Sequence, residues 1–150
     1  AEEERVAIEG GRAGGFTTLS CLCFTDVFHV AACRYAVTDL HAMVKDTHRF
    51  EKYYLDYLLG PLPENDSIYD QRSPLNNAHQ ISCPVIFFQG LKDKVVLPEQ
   101  TEKMANALRS NNLTVDLHTF PEEGHGFRDG QVKIKVLQET EMFFRKHLCL

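Results

Sequence analysis

Three places in the 150-residue sequence combine residue types that could do chemistry. The first is Gly10-Gly11-Arg12-Ala13-Gly14-Gly15, placed where a strand runs through a tight turn into a helix. The second is Gln89-Gly90-Leu91-Lys92-Asp93-Lys94-Val95-Val96, and the third is Pro121-Glu122-Glu123-Gly124-His125-Gly126-Phe127. A junction turn, an aspartate and a histidine, in that chain order, are the parts of a nucleophilic triad. In such a triad the aspartate fixes the imidazole tautomer and the imidazole takes the nucleophile's proton. The turn, a nucleophile elbow, exposes the attacking atom.

The elbow pattern is G-x-S-x-G, and Gly10-Gly11-Arg12-Ala13-Gly14 fits it except at the middle residue. Arg12 offers no attackable oxygen or sulfur, and its guanidinium stays protonated, so it cannot act as a base either. The spacing therefore keeps the elbow and omits its nucleophile. Ser20 and Cys21 do not replace it, since they lie about 12 Å further along the helix, beyond the reach of His125. Gly10 to Thr17 also reads G-x-x-x-x-G-F-T, one residue from a phosphate-binding loop. Phe16 stands where that loop needs the lysine that contacts phosphate. Anion or nucleotide binding at Gly10–Thr17, through Arg12 and the helix N-terminus, remains an alternative.

These groups must be carried by a scaffold, and composition bounds it. One domain with a sizeable core fits 150 residues. A net charge of -5 and a pI near 5.8 argue against nucleic acid as a partner. The longest apolar runs, such as Pro84-Val85-Ile86-Phe87-Phe88, are too short to span a bilayer. The acidic start lacks an apolar segment, so no signal peptide is expected, and a start at Ala1 suggests a processed or excised piece. The five cysteines (21, 23, 33, 83 and 149) are odd in number and form no C-x-x-C. They read as reduced, buried thiols in a cytoplasmic setting, with no metal. The six other histidines share no ligand spacing, and no cofactor is expected.

The periodicity predicts strands at Arg5–Ile8, Val27–Tyr35, Pro84–Phe88 and Val115–Phe120. Helices are predicted at Phe16–Cys23, Leu40–Val44, Phe50–Leu59, Glu99–Ser110 and Val132–Leu148. Residues 61–83 read as a long excursion with a helix start at Ser73-Pro74. Strands separated by helices imply a parallel sheet covered on both faces, an α/β class. Reacting groups then gather beyond the carboxyl ends of the strands, where all three loops fall.

From Gly10 to about Arg128 the sequence resembles the catalytic domain of the prolyl oligopeptidase family of serine peptidases. The likeness is greatest to its acylaminoacyl peptidase and dipeptidyl aminopeptidase branch. It rests on "GGRAGGFTTL", "DTHRFEKYYLDYLLGPLPEN", "QRSPLNNAHQISCPVIFFQGLKDKVVLPEQ" and "EEGHGFRD". The resemblance implies that residues 1–150 are the C-terminal half of an α/β-hydrolase fold, with about four parallel strands and no propeller domain. It puts the nucleophile position at Arg12, the triad aspartate at Asp93, the triad histidine at His125 and one oxyanion donor at the Ala13 amide. The second oxyanion donor would come from the half that is missing. The implied substrates are peptides or acyl-peptides, with hydrolysis impaired at Arg12. Arg5–Ile8 would be left as an edge strand, open to a homo-oligomeric contact or an N-terminal partner. A non-catalytic interaction module using that edge or the pocket is the other alternative.

Overall fold

In the computed structural model, which describes residues 5–46 and 53–150, strands and helices alternate. The order is β1 (Ala7–Gly11), α1 (Ala13–Phe24), β2 (Val30–Arg34), α2 (Leu40–Asp46), α3 (Tyr54–Leu59) and α4 (Asp66–Arg72). A 3-10 helix (Pro74–Gln80), β3 (Val85–Gly90), α5 (Pro98–Ser110), β4 (Val115–Phe120) and α6 (Gly130–His147) complete it. The strands form one parallel sheet in the order β1-β2-β3-β4, which is the expected α/β arrangement. Among the described residues β1 pairs with β2 alone, so it lies at an edge of the sheet.

The apolar run of β3 explains its place. Every residue from Val85 to Gly90 is buried, as required of a strand paired on both sides and covered on both faces. Alternate side chains serve opposite layers. Val85 and Phe87 pack with Leu19 and Leu22 of α1 and Met104 and Leu108 of α5. Ile86 and Phe88 pack instead with Val136 and Phe143 of α6. Each such side chain contributes about 1.5–3 kcal/mol when fully buried. A third cluster, built on Val37, Leu40, Leu55, Tyr69 and Val96, joins α2, α3 and α4 over the carboxyl ends of the strands.

Several boundaries differ from the sequence reading. The first strand is displaced from Arg5–Ile8 to Ala7–Gly11, and α1 starts at Ala13 rather than Phe16. Gly10 and Gly11 are therefore strand and Gly14 and Gly15 are helix, so the turn is Arg12 itself. A Cβ at Gly10 would lie 2.3 Å from the Gly14 carbonyl oxygen. Close approach of helix to strand, rather than an unusual backbone angle, is what requires glycine there. The second strand shortens to Val30–Arg34, ending before Tyr35 with its positive φ of 38°. The helix expected at Phe50–Leu59 is seen over Tyr54–Leu59, while 50–52 lie outside the described residues.

The excursion at 61–83 is mostly helical. Tyr69 of α4 is fully buried, and its hydroxyl donates to the Gly60 carbonyl at 3.0 Å. Ser73 Oγ accepts from Leu40 N–H at 3.0 Å. Pro74 opens the 3-10 helix, as suits a first helical position. Tertiary anchoring by Tyr69 and Ser73 overrides a local composition that reads as loop. All five cysteines are free, but only Cys23, Cys33 and Cys83 are buried; Cys149 is exposed. Among the described residues no helix is long and apolar enough to cross a membrane.

Candidate functional site

β1, β3 and β4 each end in one of the three loops, so the parallel sheet delivers Arg12, Asp93 and His125 to one rim. Arg12 has φ 58° and ψ −124°, a strained conformation for a residue with a side chain. Two bonds hold it. Its N–H donates to the Arg34 carbonyl at 3.1 Å, extending the ladder, while its own carbonyl accepts from Phe16 N–H at 3.1 Å and begins α1. The elbow geometry is thus imposed by the strand before it and the helix after it.

Asp93 is the most constrained group of the three. Its side chain is fully buried. Oδ1 accepts from the backbone N–H of Val95 and of Val96, both at 2.9 Å. Oδ2 lies 2.9 Å from His125 Nδ1, so Nδ1–H donates to the carboxylate and Nε2 is left as the acceptor nitrogen of the ring. That is the tautomer a general base requires.

The sequence reading missed three residues that hold this pair. Gln89, inside β3, donates to the carbonyls of Gly90 and Val96, both at 3.0 Å, and accepts from Thr101 Oγ1 at 2.7 Å. A glutamine in an otherwise apolar buried strand was the available signal. Glu123 is buried and accepts from the N–H of Arg128 at 2.8 Å and of Asp129 at 3.1 Å, closing the loop around His125. Its carbonyl accepts from Lys92 N–H at 2.9 Å, tying the His125 loop to the Asp93 loop. Tyr35, at the carboxyl end of β2, packs its ring 5.2 Å from that of His125 and 4.9 Å from that of Phe127. The rule that pointed to the ends of the other three strands reaches Tyr35 as well.

Tyr35 also positions the odd member. Arg12 Cζ stands 5.8 Å from the centre of the Tyr35 ring, within cation–π range. On its other side the guanidinium approaches Gly126, where a Cβ would be 2.6 Å from Nη2. The Arg12 side chain therefore lies over the loop that carries His125. Beside it opens a cavity of about 530 Å³, lined by Arg12, Ala13 and His125 and otherwise mainly by apolar side chains. Ala13 N–H, the first of helix α1, has no intrahelical acceptor. Phe16, in the lysine position of the phosphate-loop reading, lines the cavity and packs on the Val37–Leu40 cluster. Among the described residues no group of three or more His, Cys, Asp or Glu is placed to hold a metal ion.

Several proteins similar to this chain carry peptidase names. The chain is 30% identical over 131 residues to dipeptidyl aminopeptidase BIII of Pseudoxanthomonas mexicana, covering 83% of this chain and 19% of that protein. It is 26% identical over 157 residues to acylamino-acid-releasing enzyme 1 of Oryza sativa subsp. japonica, covering 98% of this chain and 20% of that one. Among solved structures, a puromycin-hydrolyzing peptidase of Mycobacterium tuberculosis superposes with a TM-score of 0.96 at 41% identity. The match covers 99% of this chain and 23% of that one. The chain thus spans about a fifth of the length of the curated relatives it matches. With residues 1–149 matching the model of the prolyl oligopeptidase family, the chain belongs to that family.

Proposed function

We propose that the chain carries the triad rim and part of the substrate pocket of a peptide or acyl-peptide hydrolase, with the hydrolytic step disabled at Arg12. Asp93 and His125 would serve as the orienting carboxylate and the general base, and the Ala13 amide as an oxyanion donor. Arg12 occupies the nucleophile position. The observation that carries the reading is the contrast within one rim: an Asp93–His125 bond of 2.9 Å beside an elbow backbone that presents a guanidinium. A general base with no side-chain nucleophile to deprotonate forms no acyl-enzyme. The relatives' names, dipeptidyl aminopeptidase and acylamino-acid-releasing enzyme, support peptides and acyl-peptides as the class the pocket accommodates.

The test is labelling by a fluorophosphonate together with turnover of p-nitrophenyl acetate and aminoacyl-arylamides. No label and no turnover above buffer are expected. Stoichiometric label, or turnover abolished by His125→Ala, sinks the reading. Two further parts of the proposal rest on separate observations. The edge position of β1 supports pairing with a second copy or another chain, which a monomer by light scattering at micromolar concentration contradicts. Five cysteines without a disulfide support a reducing, cytoplasmic setting.

A further inference from the structure

The cavity beside Arg12 has an unusual charge pattern. Its walls are apolar, built from side chains such as Phe16, Leu55 and Val96, yet two guanidinium groups, Arg12 and Arg72, line it. Among the described residues no aspartate or glutamate lines it, and neither arginine forms an ion pair. The Arg12 side chain rests on the neutral face of Tyr35 and beside Gly126, which leaves its planar donors available. Cations lining an apolar concavity select an anion with an apolar body. Arginine in particular presents paired N–H groups that match a carboxylate. A volume of about 530 Å³ falls within the ~300–1,000 Å³ of small-ligand sites. Ala13, whose N–H is free of the helix, lines the same space and favours the same sign of charge.

We propose that this cavity is a binding site for a small apolar carboxylic acid. The acid group sits on the Arg12 guanidinium with Arg72 as the second cation, and the hydrocarbon part lies against the apolar walls. The inference rests on the reading above for one point, that position 12 binds rather than attacks. A free carboxylate is what acyl or peptide cleavage leaves, so the site is suited to hold a product-like acid. A fatty acid carries the same chemistry, and the test separates the two.

The experiment is isothermal titration calorimetry of the unaltered chain with N-acetyl-phenylalanine and with octanoate. Each acid is paired with a neutral counterpart, N-acetyl-phenylalaninamide or octanol. At least one acid is expected to bind tenfold or more tightly than its neutral partner, since a charge-assisted pair is lost. The acid that binds names the source. Arg12→Met and Arg72→Met, each checked for an unchanged unfolding temperature, are expected to weaken the acid at least tenfold and the neutral partner little. Equal affinity for acid and neutral partner, no binding of either acid, or full acid affinity in both variants overturns the proposal. Should a variant fail to fold, the comparison of acid with neutral ligand on the unaltered chain still decides. Turnover with acid binding overturns the disabled-hydrolase reading alone, whereas inertness without acid binding overturns this inference alone.

Discussion

Replacing Arg12 by serine is expected to convert the rim into a slow esterase, and the structure sets how slow. The backbone at position 12, φ 58° and ψ −124°, is dictated by its bonds to Arg34 and Phe16, neither of which involves the side chain. Serine should therefore inherit the same exposed geometry. Removing the guanidinium also clears the space over Tyr35 and Gly126, next to a His125 already held by Asp93. A positioned general base contributes about 10²–10⁴. The Ala13 amide is the single oxyanion donor assigned in this chain, and lack of a second costs about 10²–10³. That lack is common to both chains. The p-nitrophenyl acetate rate of Arg12→Ser should therefore exceed that of the unaltered chain by the base's contribution of about 10²–10⁴, while arylamides remain slow. Fluorophosphonate should label Ser at position 12 stoichiometrically. Adding His125→Ala should remove the gain, and adding Asp93→Asn should lower it by up to about 10⁴ through the wrong tautomer. A folded Arg12→Ser chain that is neither labelled nor faster, or label that persists without His125, refutes the assignment of the triad.

Two other perturbations test the structure around the site. Asp93→Ala orphans the amides of Val95 and Val96 and is expected to cost about 2–6 kcal/mol in urea unfolding, at ~1–3 kcal/mol per unsatisfied group. Asp93→Asn keeps an acceptor at Oδ1 and should cost less than half of that; a loss under about 1 kcal/mol for the alanine variant contradicts the bonding described. The buried thiols predict a loss of stability in alkali. Burial pushes Cys23 up to about 12 and Cys83 up to about 11, and raises Cys33 as well, from an ordinary thiol value of ~8.5. The folded state thus holds protons that the unfolded state releases, so stability is full below about pH 8.5 and declines as pH rises through the folded values. Urea unfolding from pH 8 to 10.5 measures this, and replacement of all three thiols by alanine should flatten the slope.

How much of this was legible follows from where the information lies. The strands at Pro84–Phe88 and Val115–Phe120 announce themselves because residues 84–88 are apolar throughout and the turn at Pro121 closes β4. The order of elbow, aspartate and histidine is likewise local, so Arg12, Asp93 and His125 could be named without a structure. The shift of β1 by two to three residues was not legible, because glycines read as turn when they serve close packing, as at Gly10. Helix α4 was hidden for a similar reason: Asn65-Asp66-Ser67 reads as loop, and only the burial of Tyr69 makes it helix. Gln89, Glu123 and Tyr35 act in part through contacts to residues remote in the chain, Thr101, Lys92 and His125 respectively, which no periodicity records.

The pairing of Asp93 with His125 is weaker evidence of chemistry than it first looks. Asp93 would be needed even in a chain with no reaction to perform, since its Oδ1 satisfies two backbone amides at the start of the segment leading to α5. Its Oδ2 docks the 121–127 loop through His125, and the same loop is fastened again by Lys92 N–H on the Glu123 carbonyl. Stability alone thus accounts for a buried carboxylate with four partners, the fourth being Gln89 Nε2, which donates to Oδ2 at 3.5 Å. What stability does not account for is Arg12. A side chain at φ 58° is strained, and a guanidinium there gains only a ring face, whereas a glycine would relieve the backbone. The feature that calls for a functional explanation is therefore the arginine rather than the Asp–His pair, and charge in an otherwise apolar cavity is the property that distinguishes it.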